Sequence, residues 1–184
     1  GLDDVLKFMK KDHDLAQAYQ AIDRLHEAGL IYDAHIMTGV AGKGRGMENA
    51  EALAQFLNRT NPAHVVNFSM FLHKEVPLYQ DIRQGTFVPA DELETIREEY
   101  HLIERIAPEK AGANILYDGF HDFIHVRVRG HLPGDKEKML AKLNGIIQEY
   151  EGKEPVYSFV QGECPDLEYC DDGKAVWDMD RKTS

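Results

Sequence analysis

The chain has 184 residues, 43% hydrophobic and 29% charged, enough for one domain with a buried core and without low-complexity tracts. With 32 acidic against 21 basic residues the net charge is −11, which argues against a nucleic-acid partner or an anionic membrane surface. No apolar run approaches the roughly 20 residues of a membrane span. The 2 cysteines are too few for a disulfide scaffold, so a reducing cytoplasm is the expected setting.

In chain order, Asp3 to Lys11 is predicted as a short amphipathic helix with Val5, Phe8 and Met9 on one face. Asp14, followed by Gln17, opens a second helix with a capping-box pattern. Leu15, Tyr19, Ile22 and Leu25 recur along it, and Gly29 supplies its stop. Leu30 to Gly39 reads as a strand with Asp33, His35 and Met37 on one face and Tyr32, Ala34 and Ile36 on the other. Met47 to Asn58 is the next helix. A second strand, Val65 to His73, alternates Val66, Phe68, Met70 and Leu72 with Asn67, Ser69, Phe71 and His73. Asp91 to Ile106 is a long helix through Leu93, Ile96, Tyr100 and Ile103; its Asp91, Glu92, Glu94, Glu98, Glu99 and Glu104 read as a solvated face. Ala113 to Asp118 and Phe123 to Val128 read as extended. Asp135 to Tyr150 closes the series as a helix carrying Met139, Leu140, Leu143, Ile146 and Ile147.

Strands separated by helices imply βαβ crossovers and parallel pairing. Each central strand has one apolar face and one mixed polar face, whereas a doubly covered sheet would show two apolar ones. The expected fold is therefore α/β: a partial (β/α) barrel, an arc of three to four mostly parallel strands with helices on the outer face. It would occupy residues 1–151, followed by an acidic C-terminal extension, 152–184, in which Cys164 and Cys170 read as free thiols.

In such folds ligands lie beyond the C-terminal strand ends. The run Thr38 to Gly46 is one of these ends, glycine-rich and leading from strand to helix. Two readings stay open: a tight turn only, or a turn whose unpaired backbone N–H groups meet a ligand.

Several segments carry a resemblance. Gly1 to Lys11, Ala21 to Gly29, the strand and glycine turn from His35 to Gly42, Pro77-Leu78-Tyr79 and Gly130-His131-Leu132-Pro133-Gly134-Asp135-Lys136 occur in an order that resembles radical S-adenosylmethionine (radical SAM) enzymes after their fourth barrel strand. The likeness is to Fe–S oxidoreductases of the type grouped with oxygen-independent coproporphyrinogen oxidases, over roughly residues 1–150. It implies a parent protein that cleaves S-adenosylmethionine at a [4Fe–4S] cluster, forming a 5′-deoxyadenosyl radical that takes hydrogen from a substrate. It also implies that His35, Met37, Gly39, Gly42 and Phe71 meet the cofactor, with Asn67, Ser69 and His121 on the substrate side. Lys74-Glu75-Val76 and Ile124 depart from the family pattern. The family's Cys-x-x-x-Cys-x-x-Cys motif is not in this chain, so no cluster is expected here, the isolated chain is expected to be inactive, and its open sheet edge would favour dimerisation.

Two rivals come from other classes. The 9 histidines invite a small metal-dependent hydrolase built on His35, His73, His121 and His125. Against it, His121 and His125 read better as loop or surface residues, and no metal site is expected. The other rival is a non-catalytic interaction module that uses the sheet edge or the acidic extension.

Overall fold

The computed structural model describes residues 1–159. Two short N-terminal helices, α1 (Asp3–Phe8) and α2 (Leu15–Glu27), precede β1 (Asp33–Thr38), α3 (Gly46–Thr60) and β2 (His64–Ser69). Then come α4 (Leu78–Arg83), α5 (Glu92–Arg105), β3 (Ile115–His121), a single 3-10 turn (Asp122–Ile124), β4 (Val126–Leu132) and α6 (Lys136–Tyr150). The capping box at Asp14 forms as the sequence predicts, with Gln17 N–H donating to Asp14 Oδ1 at 2.8 Å and Asp14 N–H to Gln17 Oε1 at 2.9 Å.

The strands form one open sheet in the order β1-β2-β3-β4. β1, β2 and β3 run parallel, but β4 returns antiparallel to β3 through a turn in which His125 takes a left-handed conformation at φ 53°. The fold is thus α/β with a mixed sheet. The expectation of mostly parallel strands is corrected at this hairpin, because a four-residue turn joins neighbours only when they are antiparallel.

One face of the sheet carries the core. Ala34, Val65, Ile115, Tyr117, Val128 and Leu132 point to that face and pack against Leu53 and Leu57 of α3, Ile96, Leu102 and Ile103 of α5, and Met139 and Leu143 of α6. A second cluster, Met70, Leu72, Tyr79, Ile82, Phe87 and Phe159, lies beyond the strand ends. Residues 152–159, read from sequence as irregular extension, return to this cluster: Leu72 N–H donates to Ser158 O, and Leu72 bridges Phe159. Cys164 and Cys170 lie outside the described residues, as does the rest of the acidic extension. Among the described residues no helix is long and apolar enough to cross a membrane.

Candidate functional site

Among the described residues no helix packs over the centre of the sheet's other face, and the register lines its side chains up in rows. Met37, Phe68, Phe120 and Arg127 are partners across all four strands near the C-terminal ends of β1, β2 and β3. One step lower lie His35, Val66, Asp118 and Arg129. Phe68 and Phe120 stack with centroids 5.6 Å apart and planes 16° from parallel. The Arg127 guanidinium sits 4.7 Å from the Phe120 centroid, and the His35 ring 6.4 Å from that of Phe68. Arg127 also grips Asp118 through both carboxylate oxygens, at 2.8 and 2.6 Å, which holds that carboxyl below its usual range. At the β1 edge this face opens into a cavity of about 370 Å³, whose lining includes Val5, Met9, His35, Met37 and Phe68.

His35 and Met37 therefore share the uncovered face, as the strand alternation predicts. β2 is in the opposite phase to the one expected. Asn67 and Ser69 face the helices and are buried, while Phe68 stands on the open face, 36% exposed. Phe71 lies past the end of β2, also exposed. His121, expected on the surface or beside a substrate, is 0% exposed on the covered face.

The cause of this inversion is α5. Far from forming a solvated face, Glu92, Glu98 and Glu99 are at most 1% exposed, so each carboxylate needs hydrogen-bond partners. Glu99 accepts from Tyr117 Oη at 2.9 Å, Asn67 Nδ2 at 3.1 Å and His121 Nε2 at 2.9 Å. Glu92 accepts from Ser69 Oγ at 2.8 Å and His121 Nδ1 at 3.1 Å. Both ring nitrogens of His121 donate only when it is an imidazolium. Burial alone pushes this imidazole down, but the hydrogen bonds to Glu92 and Glu99, with their charges, outweigh it and raise the group to about 9. In the same layer Glu98 accepts from Asn49 Nδ2 at 2.6 Å and from Gly39 N–H at 2.9 Å. Burial pushes its carboxyl up to about 7 against the pull of those two donors.

Those bonds decide what the glycine turn can offer. Gly39 N–H is given to Glu98, Gly44 N–H to Glu94, and Gly42 N–H to Gly39 O at 3.0 Å. The N–H groups expected to meet a ligand are thus spent inside the protein. Glycine is needed at Gly39 and Gly42 for backbone reasons: φ is +80° and +81°, and a Cβ would come 2.8 Å from Thr95 Cγ2 at the first and 2.9 Å from Val88 O at the second.

A pH dependence follows. Glu98 and His121 both bind protons more tightly folded than unfolded. The Glu98 contribution to stability is fully present below its ordinary value of 4.5 and is lost as pH rises through about 7. The His121 contribution is fully present below 6.5 and is lost as pH rises through about 9. Each is worth up to roughly 3 kcal/mol. The melting temperature is expected to fall by roughly 5 °C or more between about pH 5 and 9; calorimetry showing a flat or rising profile would contradict the assignment.

Among the described residues no three His, Cys, Asp or Glu side chains are placed to hold a metal ion. Of the four histidines a hydrolase would need, His35 and His121 lie on opposite faces of the sheet and His121 has both nitrogens engaged. His73 accepts from Glu75 N–H, and His125 lies in the β3–β4 turn. The sequence signal for the buried network was the stripe Glu92, Ile96, Glu99, Ile103 at helical spacing, matched by Gly119-x-His121 on β3. No protein-family model matches this chain, and no curated protein or solved structure is significantly similar to it.

Proposed function

We propose that this chain is the C-terminal arc of a radical SAM barrel, in a cytoplasmic protein that cleaves S-adenosylmethionine reductively and abstracts hydrogen from a substrate. The observation that carries the reading is the two-sidedness of the sheet. Helices cover one face, while the other presents Met37, Phe68, Phe120 and Arg127 in one row near the C-terminal ends of β1, β2 and β3. A barrel wall has this asymmetry, with its functional residues at that end.

On this reading His35 and Met37 meet the cofactor from β1, where the adjoining cavity is of ligand size. Gly39 and Gly42 act by shaping the turn. Asn67, Ser69 and His121 hold α5 against the strand ends from behind, and Phe71 stands free at the rim. The described residues contain no cysteine and do not fit a cluster, so the thiolates that hold it belong to another part of the protein. Among the described residues β1 has a strand neighbour on one side only, which leaves an edge for the rest of the barrel or, in the isolated chain, for a second copy.

The coding sequence upstream of Gly1 tests the reading, which expects Cys-x-x-x-Cys-x-x-Cys there; its absence would overturn the assignment. The isolated chain is expected to take up little iron on anaerobic reconstitution. A full cluster's complement of iron and sulfide per chain would equally contradict the account.

A further inference from the structure

We propose that Asn49 sets what the cavity at the β1 edge accepts. The Glu98 carboxylate behind it turns its carbonyl oxygen toward the cavity, so the occupant is a small apolar molecule that offers a hydrogen-bond donor at that point. The inference rests on the reading of this cavity as a ligand site, and it names the chemistry the occupant carries. Three observations support it.

The first is position. Asn49 stands near the start of α3 and is 1% exposed, yet it belongs to the cavity wall, among Met37, Leu53, Phe56 and Phe68. A polar group in an apolar stretch of wall fixes the orientation of what binds there.

The second is the direction of the amide. An ionised carboxylate only accepts, so the arm of Asn49 that meets Glu98 Oε1 at 2.6 Å is its NH2. Oδ1 lies on the other side, next to Gly1 of the cavity wall, where a Cβ would come 3.6 Å from it. Among the described residues Asn49 makes its one side-chain hydrogen bond to Glu98, which leaves Oδ1 for the occupant. A ligand without a donor would cover that acceptor and leave it unpaired, at a cost in affinity.

The third is that Glu98 cannot turn away. Its Oε2 takes Gly39 N–H at 2.9 Å, and Gly46 packs so closely that a Cβ there would be 3.0 Å from the same oxygen and 3.2 Å from Glu98 Cβ. Protonation inverts the arrangement. With Gly39 still bonded to Oε2, a proton on Oε1 is donated to Asn49, whose Oδ1 then faces Glu98 and whose NH2 faces the cavity. Burial pushes the Glu98 carboxyl up to about 7 against the pull of Asn49 and Gly39; Glu94 on its own helix raises it further, and His121 of β3 lowers it.

The test is equilibrium binding of indole and benzofuran to the whole chain, followed by two-dimensional NMR. The two probes have nearly the same shape, but only indole carries an N–H. At about pH 8 indole is expected to bind at least about fivefold tighter, and to shift the side-chain amide resonances of Asn49. At about pH 5 the preference should disappear. Glu98→Gln should abolish it at both pH values, because Gly39 N–H claims the glutamine oxygen and leaves the glutamine NH2 to donate to Asn49. Lys11, His13 and His35 also line the cavity and are untouched in that variant, so a pH dependence that survived it would be theirs and would overturn the role given to Glu98. Equal binding of the two probes at about pH 8, no binding of either, or shifts confined to other surfaces would overturn the inference, as would an indole preference unchanged at about pH 5. None of these outcomes bears on the upstream cysteine motif, so the barrel reading and this inference can fail separately.

Discussion

Gly119→Ala is expected to destabilise the protein by roughly 3–5 kcal/mol, although alanine is ordinarily no worse than glycine in a strand. A Cβ at this position would lie 1.8 Å from Glu99 Oε1, 2.9 Å from Glu99 Cδ and 3.1 Å from Tyr117 Cε1. The contact cannot be relieved by a small turn of the glutamate. Its carboxylate is held at once by Asn67, Tyr117 and His121, all of them buried. Moving it breaks those bonds and strands the His121 charge, which carries the cost beyond ordinary overpacking. Urea unfolding should show a lower midpoint with an unchanged slope. In a Glu99→Ala background the same substitution should cost little, because the oxygen it strikes is gone. A loss below about 1 kcal/mol in the native background would mean that Glu99 is not fixed as described.

His121→Ala is the second large effect, expected to cost about 3–5 kcal/mol. It removes the one cation between Glu92 and Glu99 and leaves two carboxylates at most 1% exposed without their shared partner. The sign of the pH profile separates this from simple cavity formation. The native protein loses the His121 contribution as pH rises through about 9, and in the variant that contribution is absent while the Glu98 fall through about 7 remains. Adding Glu92→Gln and Glu99→Gln should restore part of the loss, since neutral amides need no counter-charge. If the single variant kept the fall through about 9, another group would have to be its source.

The elements that were legible in the sequence were those fixed by local chemistry. Asp14 and Gln17 marked a helix start because a capping box closes within four residues. The alternation along β1 placed His35 and Met37 together because Ala34 and Ile36 could only be the packed side. On β2 the same logic selected the wrong side. Asn67 and Ser69 looked like the wet phase, yet they face inward because α5 brings Glu92 and Glu99 down onto them. Those partners lie 23 and 32 residues away in sequence, and burying a glutamate is costly until they are in place, so helical periodicity alone assigns it to solvent. β4 was legible only in part, as an extended run from Phe123 to Val128 where the strand is Val126–Leu132, for a related reason. Arg127-Val128-Arg129 alternates as a strand should, but whether its arginines meet water or a ligand depends on Asp118 and Phe120, which a turn places opposite them.

We propose that the open face of this sheet is the inner wall of a radical SAM barrel. The most direct test uses the protein expressed from the complete coding sequence, reconstituted anaerobically with iron and sulfide and given S-adenosylmethionine and a low-potential reductant. The account predicts 5′-deoxyadenosine, formed only when all of these are present. A reconstituted protein that takes up no iron, or that leaves S-adenosylmethionine intact under reduction, would contradict it.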